Sequence, residues 1–503
     1  METPTLSTLE QNVFGLANEQ YEVLLSTLRS AEYQGLEHGA VEQFVQHEGT
    51  ELLRRLLQGH LDLRGANEPE YKRLVGTDQH PRSHHRKGTQ RQLETLFGEV
   101  VVTRIGYSTK ATGVSALYPS DGILNLSTDQ YSDGLHRRVA QEASKVSFTE
   151  TVTTIGETTG AQVGKRQCEE ITVKVAQDFN EFYAQHTQLD SEKTQDLLVL
   201  STDGKGIVMH QEDLRDATAK AAERADKTRK VRLSPGEKRQ RKRMATVASV
   251  YSTPRFERRP EQIMGEHLEK PERPAIYNKR VWASVRDDAK AVIGSAFEEA
   301  TRRDPQHQRE WVVLVDGDPN QIEAIKANAK KYDVSLTIVL DFIHVLEYLW
   351  KAAHCFFTPG DKAAEAWVTQ RALRLLEGKV SDVAAGIRRS ATLQNLSESA
   401  RENVDKCADY LLKYRKYLLY GQYLQKGYPI ASGVIEGACR HLVKDRMDIT
   451  GARWRLDRAE AVLQIRALRA SGDFDKYWDF HKIKEFNRNH ADKFLHPQVL
   501  LAA

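Results

Sequence analysis

The stretch VVLVDGDPN, Val312 to Asn320, limits the possible folds more than any other part of the chain. Four apolar residues run straight into Asp316, and Gly317, Asp318 and Pro319 follow at once. This reads as a core strand that ends on an acid. Aspartate, glycine and proline all suit a turn. A carboxylate aimed off the end of a core strand also suits a metal site, provided that matching acids lie elsewhere.

The surrounding pattern gives that strand a context. LLVLSTDGKGIVM, from Leu197, reads as a strand, a turn and a second strand. MATVASVYS reads as a third strand, and KRVWASVRDDAKAVIGSAFEEATRR as a helix. WVVLVD is then a fourth strand, NQIEAIKANAKKY a helix and SLTIVLD a fifth strand. Three antiparallel-type strands followed by alternating helix and strand is the order of a ribonuclease H-like α/β domain. A generic doubly wound sheet would alternate from its start. STDGKG after a strand is not the glycine pattern of a dinucleotide site, and a strand rather than a long helix follows it. After Asp341 the chain reads as helix almost to its end, with a long stretch from Phe342 to about Gln425.

The N-terminal part is mainly helical. AVEQFVQHEGTELLRRLLQGHLDL spaces its apolar residues by three and four, the pattern of an amphipathic helix. DQHPRSHHRKGTQ reads as a polar loop with His84 and His85 exposed. RQLETLFGEVVVTRIGYS reads as a small β-hairpin over Arg91 to Ser108. Residues 131 to 185 return to helix and contain a candidate helix-turn-helix, with Lys165 and Arg166 near the start of its second helix. The expected organisation is a helical region over 1–90, a hairpin and helical DNA-binding region over 91–190, and a catalytic domain over 191–475. That domain carries an all-helical insertion at about 345–425, and 476–503 form a tail.

Bulk properties narrow the class. A chain of 503 residues with 40% hydrophobic content can build several cores. No apolar run approaches the roughly 20 residues needed to span a bilayer. METPTLSTLEQNV lacks the basic start and apolar core of a secretory signal, so a cytosolic protein is expected. Cys168, Cys355, Cys407 and Cys439 lie far apart with no C-x-x-C pair, which argues against a disulfide framework or structural zinc and for small core residues. Net charge is only +3, but Arg224 to Arg243 holds ten Lys or Arg against two acids and carries +8. Such a block suits a polyanion. Its candidate phosphate contacts are Lys230, Arg232, Lys238, Arg239, Arg241, Lys242 and Arg243.

The acids fit the metal-site reading. Asp203 closes the first strand and Asp316 the fourth, and in a ribonuclease H-like sheet these strands are neighbours. Two carboxylates so placed repel unless a cation lies between them. Magnesium suits all-oxygen sites of one or two carboxylates, and paired ions can activate a nucleophile and stabilise the leaving oxygen of a phosphodiester. A third acid is expected from a later helix, and Glu436 in YPIASGVIEGACRHLVKDRMDITGARW is the best candidate. Small residues surround it, and Arg440, Lys444, Arg446, Arg453 and Arg455 follow. The local alternative is a first-turn helix acid paired with Arg440.

In this order, STDGK, VLVDGDPNQ, LDFIHVLEYLWKAAHCF and SGVIEGACRHLVKDRMDITGARW resemble the DDE transposases of bacterial insertion sequences. More narrowly they resemble the ISKra-type group, related to Mutator-like elements. The resemblance covers about Gln195 to Leu468 and implies a metal-binding catalytic triad of Asp203, Asp316 and Glu436. It implies two Mg²⁺ ions, with Mn²⁺ as a substitute, and double-stranded DNA, both terminal inverted repeats and target, as partner. Because two ends must be joined, a homodimer or higher assembly is expected. Asp341 and His344 match the family's D-x-x-H element beside the active site. By residue chemistry alone, Asp341 could instead cap a helix and His344 sit in the core. Trp454 matches a family aromatic that could stack on a base, or pack in the core. A nuclease that cuts without joining, and a DNA-binding protein derived from a transposase, are the competing readings.

Overall fold

The computed structural model describes residues 13–186, 192–224, 241–265 and 272–501. The chain forms two compact units, one from residues 1–182 with 473–503 and the other from 183–472.

The first unit begins with helices α1 (Gly15–Arg29) and α2 (His38–Ala66). Strands β1 (His84–Thr95) and β2 (Gly98–Ser108) form an antiparallel hairpin in continuous register from Thr95↔Gly98 out to His84↔Ser108, apart from one bulge. The first strand therefore starts seven residues before the expected Arg91 and takes in the polar segment read as a loop. His84 and His85 are exposed, as expected. Only the far end of β1 is buried, so its polar half is a strand because β2 offers it backbone partners, not because of its own pattern. Helices α3 (Asp133–Ala143), α4 (Phe148–Thr158) and α5 (Lys165–Ala176) pack on one another, with α3 also against β1. The C-terminal segment is no tail. A helix over Phe474–Asn489 bonds back through Tyr477 to the Val175 carbonyl and through His481 to Asp178. Phe494 and Leu500 then join Leu74, Ile105, Tyr107 and Leu117 in one buried cluster.

The second unit is built on a five-stranded sheet. Its strands are β3 (Leu197–Val208), β4 (Lys242–Thr253), β5 (Tyr277–Ser284), β6 (Trp311–Val315) and β7 (Leu336–Leu340). The spatial order is β5-β4-β3-β6-β7. The first three strands pair antiparallel, while β6 runs parallel to β3 and β7 parallel to β6. Two expectations fail. LLVLSTDGKGIVM is one strand, paired along its whole length from Leu197↔Thr253 to Val208↔Lys242. Asp203 thus lies mid-strand instead of closing it. YNKRVWAS is a strand instead of the start of a helix. The helix α6 (Ala289–Arg303) begins only after Asp288, whose side chain accepts from the Ala291 amide. Helix α7 (Pro319–Lys331) follows β6, capped by Asp318.

Helices α8 (Phe342–Ala353), α9 (Lys362–Leu376), α10 (Val380–Leu393), α11 (Glu402–Lys413) and α12 (Tyr420–Gln425) make the expected helical stretch. Tyrosines dock it on the sheet. Tyr410 donates to the Asp316 carbonyl at 2.9 Å, Tyr414 to Gly317 at 2.5 Å and Tyr420 to Leu340 at 2.9 Å. These satisfy carbonyls at the strand ends that no further strand reaches. Helix α13 (Gly433–Ala438) continues as a π-helical segment over Cys439–Lys444 and a last α turn at Asp445–Met447. Helix α14 (Leu456–Ser471) covers β5. No helix among the described residues is long and apolar enough to cross a membrane.

Gly317 carries a tight turn just past the end of β6. Its φ is +103°, and a Cβ there would lie 3.1 Å from the Tyr410 hydroxyl and 3.3 Å from Leu340. Gly317→Ala should therefore cost about 1–3 kcal/mol of stability, read as a lower urea midpoint at unchanged slope.

Candidate active site

The sheet aligns two of the three acids. The parallel pairing of β3 with β6 ends at Ser201↔Leu314. Asp203 and Asp316 each lie two residues further on, so the β3–β6 register carried forward sets them in one row, with Asp316 just past the end of β6. β3 continues past this point only because β4 still pairs with it. Asp203 is therefore interior to its own strand yet lies where its parallel neighbour stops.

Each carboxylate is oriented locally. Asp203 Oδ1 accepts from the Gly204 amide at 2.6 Å, and its Oδ2 accepts from the Cys439 thiol at 3.1 Å. Asp316 Oδ1 accepts from the Asp318 amide at 3.0 Å. Its Oδ2 has no hydrogen-bond donor among the described residues. Asp318 is occupied as the cap of α7, its Oδ1 accepting from the Asn320 amide at 2.8 Å, which favours Asp316 as the free acid of the pair.

Asp341 is buried, and it serves as a cap. One oxygen accepts from the Ile343 amide at 2.8 Å at the start of α8, and the other from the Ser432 amide and hydroxyl at the start of α13. Glu436 lies one turn further along α13. It stands on the exposed side of the helix, yet partial burial and the carboxylates of Asp341, Asp203 and Glu347 hold its pKa above the ordinary glutamate range. His344 is half-buried, with its ring edge-on to Tyr348 and Tyr410. It lines a cleft of about 460 Å³ together with Asp316, Tyr348, Lys406 and Lys413. His344 is therefore an open cleft residue, not a core one.

Among the described residues, no three His, Cys, Asp or Glu side chains converge closely enough to form a ready-made metal cage. Asp203 and Asp316 share a row, and Glu436 senses Asp203, but the triad is not closed. The donor chemistry nevertheless fits magnesium. All the donors are oxygen, Asp316 keeps a free oxygen, and the crowded negative charge at Glu436 is what a divalent cation relieves.

The basic candidates divide. Lys230, Arg232, Lys238 and Arg239 lie outside the described residues. Arg241 and Lys242 are half-buried where β4 begins. Arg243 is structural, because Nε donates to Val285, Nη1 to Asp213 and Nη2 to Arg286, all backbone carbonyls. Arg440, Lys444 and Arg453 are exposed on and just after the helix that carries Glu436. Lys165 and Arg166 are exposed at the start of α5, with Arg166 paired to Glu170 at 2.8 Å. Trp454 is 5% exposed and donates to the Met447 carbonyl at 3.0 Å under the Arg446 guanidinium. Core packing, not base stacking, is its place. Residue-type reasoning missed Cys439 and Ser432 as partners of the acids. The only sequence signal was their spacing around Glu436, three residues after it and four before.

No family model matches the chain, and no curated protein matches it significantly.

The raised pKa of Glu436 gives a signed expectation. Its charged form is disfavoured in the folded chain, so Glu436→Gln should raise the melting temperature at pH 7 without divalent ions. The gain should shrink as pH falls through the raised folded value and vanish below the unfolded value of 4.5. Scanning calorimetry from pH 4 to pH 7 in EDTA reads it.

Proposed function

We propose that the chain is a DDE transposase that cleaves DNA at the ends of an insertion sequence and joins those ends to target DNA. The observation that carries this reading is the row formed by Asp203 and Asp316 on neighbouring parallel strands, with Glu436 on a helix that senses Asp203. A ribonuclease H-like fold is supported by the sheet order, in which strands one to three are antiparallel and strands four and five extend the sheet from strand one.

In this reading Asp203 and Asp316 hold Mg²⁺ with Glu436 as the third acid. Bound there, the ions would supply a nucleophile at neutral pH and stabilise the leaving oxygen of a phosphodiester. The chain's own part is positioning. Gly204 and Cys439 fix the rotamer of Asp203, the Asp318 amide fixes Asp316, and Asp341 with Ser432 fixes the start of the helix bearing Glu436. Exposed Arg440, Lys444 and Arg453 next to that helix would hold phosphates, giving salt-dependent affinity without sequence choice. Recognition of the element ends would fall to the N-terminal unit, with Lys165 and Arg166 at the open end of α5. Work on DNA in this way would place the protein in the cytoplasm, at the nucleoid.

Labelled DNA carrying the ends of the encoding element, with a target plasmid, tests the reading in Mg²⁺ and in EDTA. Wild type should cut and join only with the metal. Asp203→Asn, Asp316→Asn and Glu436→Gln should each keep DNA binding and lose about 10²–10³-fold or more in both steps. The double Asp variant should be little worse than either single one. Cutting without joining would favour a nuclease, and binding with no chemistry a derived DNA-binding protein.

A further inference from the structure

Helix α2 spans 29 residues, yet only Gly59 and Leu61 are buried. Two of its sides are occupied. On one, Gln58 exchanges hydrogen bonds with the Val101 backbone and a Cβ on Gly65 would strike the Thr103 carbonyl at 2.7 Å, so the β-hairpin lies there. On another, Arg55 donates to the Leu16 carbonyl and Gln20 to Glu48, so α1 lies there. A third side faces no element among the described residues of its own unit. Val45, Gly49, Leu53 and Leu56 recur on it at helical spacings of three and four. Val45, Leu53 and Leu56 are 42%, 46% and 41% exposed, and a Cβ on Gly49 would meet nothing within 4 Å. A mid-helix glycine weakens a helix relative to alanine, and nothing among the described residues of the unit crowds one at 49.

We propose that this stripe is a self-association surface, on which a second copy of the chain packs its own α2 antiparallel about a two-fold axis between Leu52 and Leu53. Two features select a second copy in that orientation. The first is shape. With the axis there, Leu56 of each copy lies over Gly49 of the other, so the open space at the glycine and the exposed leucine fill each other twice. The second is charge. The stripe begins at Glu42 and ends at Arg64, about 33 Å along the helix. Antiparallel packing sets Glu42 within one residue of Arg64 at both ends, in reach of the long arginine side chain, whereas parallel packing would set like against like. The inference does not depend on the DNA reading.

Sedimentation of the full chain in the absence of DNA tests it. Wild type should be a dimer that dissociates on dilution, and Leu56→Glu should be monomeric with unchanged helix content. Gly49→Leu should leave the melting temperature of the monomer equal or higher, since the site is open and leucine is the better helix former, yet abolish the dimer. Glu42→Arg and Arg64→Glu should each weaken the dimer about tenfold or more at low salt, and the two together should restore it. Leu53→Cys should form a disulfide-linked dimer on oxidation, while His47→Cys, on a side turned away from the stripe, should not. A wild type that stays monomeric at all concentrations overturns the proposal. So does a dimer indifferent to Gly49→Leu and Leu56→Glu, or one that the double charge swap fails to restore.

Discussion

Asp341 ties the second unit together. Its own amide donates to Val315 at the end of β6, and its two oxygens accept from the first turns of α8 and α13. Phe342 adds a backbone bond to Ile430 just before α13. A single buried residue therefore fixes the end of the sheet through its amide, and the helix carrying His344 and the helix carrying Glu436 through its carboxylate. A buried charge is tolerable only when its lone pairs are satisfied, and three donors surround this one. Without it the chain would have little to set the distance between Glu436 and the strand ends, because some ninety residues of helix separate the two in sequence.

The helical stretch between them is held by a different device. Tyr410, Tyr414 and Tyr420 reach from it to carbonyls at the ends of β6 and β7. Gly317 lets the backbone turn under Tyr410 without a side chain in the way. The same contacts that dock the helices thus shape the floor of the cleft beside Asp316. Local stability and site geometry are one problem here, and the tyrosine hydroxyls address both.

Some of this was legible in the residues. The apolar run before Asp316, the helix after it and the strand before Asp341 were all visible because each is short, strongly patterned and bounded by turn formers. Glu436 stood out as a candidate through the small and basic residues around it, once Asp203 and Asp316 had been singled out. Other features were hidden. Gly204 and Gly206 read as a turn, but β4 pairs straight across them. KRVWAS read as helix because helical residues follow it, and its strand character comes from lying between β4 and α14. Arg243 read as a phosphate contact, since the count of charges in a block says nothing about which guanidinium turns inward to backbone carbonyls. The C-terminal segment read as a tail because its partners, Leu74 and Tyr107, lie some four hundred residues earlier.

By itself, then, the sequence determined which segments alternate as strand and helix around Asp316, and which acids are candidates for a site. These depend on neighbours a few residues apart, where periodicity, turn residues and caps act. Tertiary structure alone decided that Asp203 stands in the middle of a strand and still shares a row with Asp316. It also decided that Asp341 spends both its oxygens on two helix starts, and that one face of α2 stays open. Those outcomes depend on which backbone groups and surfaces remain unpaired after distant segments meet, and no local pattern encodes that remainder.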